Sequence, residues 1–124
     1  MITGTHAILY STDAEADRAF LRDVLGFPNV DAGAGWLIFR LPPAELGVHP
    51  ADAHVERPAD AAPAAELYLM CDDLDATLAD LAAKGVRPAG ERVEARWGVR
   101  AFLPLPSGAT LGLYEPRHPV ATDL

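Results

Sequence analysis

Glu66-Leu67-Tyr68-Leu69-Met70-Cys71-Asp72-Asp73 repeats, at a shift of 60 positions, the pattern of His6-Ala7-Ile8-Leu9-Tyr10-Ser11-Thr12-Asp13. A second match follows at a shift of 65, Leu46-Gly47-Val48-His49-Pro50 against Leu111-Gly112-Leu113-Tyr114 and Pro116, with Glu115 extra. Each half opens on an apolar run and an acidic turn, and closes on an apolar run ended by proline. Two matches in the same order make internal duplication the reading that organises the chain.

Between those ends, each half carries the signals of one helix followed by short strands. Thr12 and Asp13 stand where an N-cap belongs, because a short side-chain oxygen can satisfy the free N–H groups of a first helical turn. Ala16, Ala19, Phe20, Val24 and Leu25 keep helical spacing, and Gly26 stops the run. In the second half Asp72 or Asp73 caps, Leu74, Leu78 and Leu81 form the apolar stripe, and Gly85 ends it. Strands are expected over 30–32, 36–41 and 45–49, and again over 92–97, 99–103 and 110–115, the last two joined by the turn Pro106-Ser107-Gly108. The order is β-α-β-β-β, twice. The expected domain is a single unit over 1–124: module one 1–50, an Ala-, Pro- and Asp-rich linker 51–65, module two 66–116 and a tail 117–124.

Composition narrows the function classes. At 124 residues and 13.2 kDa the chain is one domain long enough for a real core. Half its residues are hydrophobic, although 23 of those are alanine. Ten basic against eighteen acidic residues give a formal charge of −8, which repels nucleic acid and anionic lipid and is compatible with cationic ligands. The single Cys71 permits no internal disulfide. No run of side chains approaches a membrane span, and the N-terminal residues lack a signal-peptide layout, so a cytoplasmic location is expected. Gly33-Ala34-Gly35 precedes a strand rather than opening a helix, and Ser107 sits in a plain turn, which removes the nucleotide-loop and serine-nucleophile readings.

The duplicated pattern resembles the vicinal oxygen chelate superfamily of glyoxalases, bleomycin-resistance proteins and extradiol dioxygenases. The phrases that carry the likeness are Arg22-Asp23-Val24-Leu25-Gly26-Phe27 and Leu111-Gly112-Leu113-Tyr114-Glu115-Pro116. The resemblance implies an α+β fold in which two tandem βαβββ modules curl a curved mixed sheet around a cup, with helices outside. It also implies a homodimer and a small-molecule ligand. A ferredoxin-like α+β barrel competes, but it has two strands per helix rather than three. Strand alternation then sorts the side chains. Ala7, Leu9, Leu67, Leu69 and Cys71 should pack under the helices. His6, Ile8, Tyr10, Glu66, Tyr68 and Met70 should face the cup, where Gly47 shares a face with His49 and Gly112 with Tyr114.

In metal-dependent relatives, the resemblance places a divalent ion between the first strands of both modules and carboxylates on the last strands. His6 and Glu66 match the first-strand positions, while the last-strand positions hold Gly47 and Gly112. If His49 leans back over Gly47, then His6, His49 and Glu66 compose a two-histidine, one-carboxylate set suited to one Fe, Zn, Ni or Mn ion. The resulting activity would be that of a lyase, isomerase or extradiol-type dioxygenase, with Glu66 and Tyr114 as catalytic groups. Glu115 points away from Tyr114's face, and His54 and His118 fall in linker and tail as solvated side chains. His6 and Glu66 could equally form a plain ion pair.

The principal expectation is different. Two glycines on the floor enlarge the cup, and Tyr68, Met70, Arg100, Phe102 and Tyr114 supply stacking and polar contacts for a drug or metabolite that is held rather than transformed. Trp36 and Trp97 are further stacking candidates, and Arg100, isolated among apolar strand residues, would meet an anionic group. A third reading is a former enzyme kept as a structural dimer. Tryptophan quenching by planar ligands, metal content and a ligand screen separate the three.

Overall fold

A computed structural model of the chain describes residues 6–48 and 65–124. His49, His54 and most of the linker fall outside the described residues. Helix α1 spans Ala14–Asp23 and strands β1 and β2 span Asn29–Asp31 and Leu37–Phe39. The second half supplies β3 (Tyr68–Met70), α2 (Leu74–Ala83), β4 (Val93–Ala95), β5 (Gly98–Pro104) and β6 (Thr110–Pro116), followed by a short 3-10 turn at Ala121–Asp123. The fold class is α+β, as the sequence indicates.

Both helices begin as expected. The Asp13 carboxylate accepts from Ala16 N at 3.2 Å and the Asp73 carboxylate from Ala76 N at 3.0 Å. Glu115, turned to the helix side of β6, adds a second cap by accepting from Leu74 N at 2.9 Å. Gly26 and Gly85 follow the helices at φ 70° and 80°, a left-handed conformation that glycine adopts without Cβ strain.

The second module forms one sheet in the order β3-β6-β5-β4. β3 runs parallel to β6, and β4, β5 and β6 are antiparallel neighbours. The connection from β3 through α2 to the rest of the sheet leaves α2 on one face. There Val99, Ala101, Leu103 and Leu113 meet Leu74 and Leu81. Helix α1 joins the same face: Phe20 is buried against Leu105 and Leu111, and Lys84 Nζ donates to Val24 O at 2.9 Å. The buried Asp17 ties α1 to the β5–β6 turn, accepting from Ser107 N, Ser107 Oγ and Ser11 Oγ. The first module's helix is therefore built into the second module's core. Leu67, Leu69 and Cys71 pack beneath the helices, as alternation requires.

The first module departs from expectation, and Ala7 and Leu9, expected beneath the helices, are exposed. β1 and β2 form an antiparallel hairpin, Asn29 opposite Phe39, in a sheet of their own. Residues 6–10 and 45–48, expected as first and fourth strands, are not strands, and Ile8, Tyr10, Leu46 and Val48 are exposed. A strand needs a hydrogen-bonded neighbour. In the second module β6 supplies one to both β3 and β5, whereas no ladder among the described residues reaches 6–10 or 45–48. The apolar alternation is present without the pairing.

Candidate functional site

The sheet face opposite the helices carries a group of aromatic and polar side chains. Register sets two rows across it. Tyr68 stands opposite Gly112, which stands opposite Phe102, and Met70 stands opposite Tyr114, which stands opposite Arg100. Trp97, in the tight β4–β5 turn, leans onto the second row, its ring 5.7 Å from that of Tyr114. The Tyr68 and Tyr114 rings meet edge to face at 6.2 Å.

Gly112 explains why the rows fit. A Cβ built on it would collide with the Tyr68 ring. The sequence reading treated this glycine as added room in the floor; instead the ring of Tyr68 lies over the glycine and fills that space. Gly98 plays the same part under Tyr114. Gly47 does face open space.

Arg100 sits among these rings. Its guanidinium carbon lies 5.1 Å from the Trp97 ring centre, 5.8 Å from Tyr68 and 5.9 Å from Phe102, within the range of cation–π attraction. Nη1 donates to the Tyr68 hydroxyl at 2.9 Å, and that hydroxyl donates to Glu66 Oε2 at 2.7 Å. Nε is buried, without a hydrogen-bond partner among the described residues. A cleft of about 330 Å³ opens at one end of this face, where Tyr68, Phe102 and Gly112 meet the helix-side residues Asp17, Leu105 and Leu111; Arg100, Trp97 and Tyr114 lie outside its lining. That volume falls at the small end of ligand pockets.

Burial holds the Tyr68 phenol above the ordinary tyrosine range. The bond to Glu66 pushes the same way, and the bond from Arg100 opposes it. Burial likewise raises Tyr114, with the negative charge of Glu45 adding to the effect. Unfolding would free both phenols to ionise near about pH 10, so their contribution is intact below that pH and is lost as pH rises through the folded-state values. The thermal midpoint should therefore hold level and then fall above about pH 10, and Tyr68→Phe should soften the fall. Identical profiles for the two proteins would exclude this role for Tyr68.

Tyr68, Met70, Arg100, Phe102 and Tyr114 share one face, and Glu66 adjoins it. His6 is exposed, and Glu66 bonds to Tyr68 rather than to His6. No group of three His, Cys, Asp or Glu that could hold a metal occurs among the described residues, and the third expected ligand, His49, lies outside them. Trp36 stands apart from the row, exposed under Arg18 at 4.6 Å. Cys71 is half-buried on the helix side, and burial pushes its thiol up, as befits a structural cysteine.

Two residues at this site were not singled out by the sequence. His118, expected to be solvated, is half-buried with its ring 5.7 Å from that of Tyr114. Glu45 approaches it at 3.8 Å and accepts from Ala121 N at 2.7 Å, which brings the end of the first module beside the aromatic row. Nothing in the local pattern around Glu45 signals this contact, which spans 76 positions.

The sequence profile of the Glyoxalase/Bleomycin resistance protein/Dioxygenase superfamily matches residues 5–116. The chain belongs to this superfamily. No curated protein sequence matches it significantly. Among solved structures, TnmS3, an antibiotic binding protein from Streptomyces sp. CB03234, is 24% identical with a TM-score of 0.56, covering 94% of this chain and 99% of that one. A lactoylglutathione lyase from Agrobacterium tumefaciens is 21% identical with a TM-score of 0.58, over 91% and 96% of the two chains. A superfamily member from Nocardioides is 17% identical with a TM-score of 0.54, over 97% and 93%. At these identities the likeness is one of fold, and the superfamily hosts both binding proteins and enzymes on that fold. No helix among the described residues is long and apolar enough to cross a membrane.

Proposed function

We propose that the protein binds a planar small molecule on the open face of its sheet and holds it without transforming it. The observation that carries this reading is the convergence of Tyr68, Tyr114, Trp97 and Phe102 on one face beside a cleft. Flat apolar walls with a few fixed polar groups suit stacking and orientation of an aromatic ligand. The name of the Streptomyces antibiotic binding protein supports the same class.

A resident metal fits this face poorly. The last-strand position at 112, where metal-dependent relatives place a carboxylate, lies beneath the Tyr68 ring, and a Glu66 oxygen is engaged by the Tyr68 hydroxyl. His6 and Glu66 alone fall short of the three protein ligands usual for a catalytic zinc. We therefore read the His6, His49 and Glu66 set, and the lyase, isomerase or dioxygenase activity it would serve, as the lesser alternative.

The working assembly in this reading is a cytoplasmic homodimer. The exposed apolar residues Ile8, Leu46 and Val48, together with the outer edge of β3, unpaired among the described residues, suit cover by a second copy. Sedimentation at micromolar concentration should give twice the mass of one chain, and a monomer would remove this part of the proposal.

Titration with planar aromatic compounds, drugs included, should quench the fluorescence of Trp97 at micromolar concentration, without turnover of the ligand. Exhaustive treatment with a chelator should leave that affinity unchanged. Loss of binding on chelation, regained with Fe(II), Co(II) or Ni(II), would replace the sequestration reading with the metal one.

A further inference from the structure

Arg100 has more donors than its surroundings satisfy. Nη1 is used by Tyr68, while Nε is buried and faces no acceptor among the described residues. A buried donor left unpaired is destabilising, and aromatic faces recover only part of that loss. The charge is also without a direct counterion among the described residues. The Tyr68 hydroxyl stands between Arg100 and Glu66, and no carboxylate among the described residues lies within ion-pair distance of Arg100. Arg100 thus sets a positive charge on the aromatic face of a chain whose net charge is −8.

We propose that the ligand is a planar aromatic acid, and that the Arg100 guanidinium receives its ionised oxygen while the ring stacks along Trp97, Phe102 and Tyr114. The proposal rests on the binding function argued above and adds the ligand's chemical class. An ionised oxygen supplies the countercharge that Arg100 lacks among the described residues, through a charge-assisted hydrogen bond to the guanidinium. A cationic ligand, which the overall acidity of the chain favours, would meet Arg100 head-on. The contacts with Tyr68 and the flanking rings hold the guanidinium in place before the ligand arrives, so little side-chain ordering is left for binding to oppose.

Two probes of the same shape test this: anthraquinone-2-carboxylate and anthraquinone-2-carboxamide, each titrated into the unaltered protein at neutral pH with tryptophan quenching and ligand-observed saturation-transfer NMR. The carboxylate should bind about tenfold or more tightly than the amide, and added salt should weaken the carboxylate alone. Arg100→Gln should bring the two affinities together. Equal affinities, or a preference for the amide, in the unaltered protein would overturn the acid assignment while leaving planar-ligand binding intact. Failure of both probes to bind would overturn the function and the ligand class together. The comparison on unaltered protein decides the matter even if Arg100→Gln folds poorly.

Discussion

Replacing Asp17 with alanine is expected to lower the stability of the protein by about 3 kcal/mol, with a fall of roughly 10 °C in thermal midpoint. Asp17 is 8% exposed, and its two oxygens receive Ser107 N at 3.0 Å, Ser107 Oγ at 2.8 Å and Ser11 Oγ at 2.7 Å. Removing the carboxylate strands three donors, and the backbone N–H of Ser107 cannot turn elsewhere. Such stranded groups, rather than the nominal strength of each bond, account for most of the cost. Ser107→Ala removes one donor and leaves Asp17 two, so it should cost about 1 kcal/mol. Chemical denaturation of both variants and their double mutant measures the coupling. A loss below about 1 kcal/mol for Asp17→Ala would show that α1 is held by its apolar face alone.

Gly112→Ala should cost about 2–3 kcal/mol, much more than an alanine in a strand would otherwise cost. β6 lies between β3 and β5 and has no freedom to shift, so the new methyl group must expel the Tyr68 ring. Expulsion also breaks the Glu66–Tyr68–Arg100 chain of hydrogen bonds, and ligand affinity should fall with it. The second substitution Tyr68→Ala removes the obstacle. The double variant should therefore be less destabilised than the sum of the singles, by about 1–2 kcal/mol. Additive losses would mean that ring and glycine do not interact. By the same argument Gly112→Glu, which restores the carboxylate that metal-dependent relatives carry, should unseat Tyr68 rather than create an ion site.

The second half of the fold was legible because its strands follow alternation and each finds a neighbour in one ladder. Tyr68, Arg100, Phe102 and Tyr114 point one way, and Leu69, Val99, Ala101 and Leu113 the other. The first half carries the same alternation at 6–10 and 45–48, but becoming a strand requires a neighbour, and side-chain pattern does not encode one. Gly112 shows a second limit. Its place in the strand was evident, whereas the register that sets Tyr68 opposite it belongs to the assembled ladder. Without that register an absent side chain looks like added room. Glu45 and His118 escaped for a related reason, since long-range contacts between irregular segments have no periodicity to reveal them.

Helix α1 finds its apolar and polar anchors, Leu105, Ser107 and Leu111, some ninety residues downstream. During synthesis Phe20 therefore completes its burial only after the β5–β6 hairpin has left the ribosome. Closing so long a loop is slow. Docking of the first helix is thus tied to the β5–β6 hairpin, and a chain cut short before Leu105 loses these anchors together with β6.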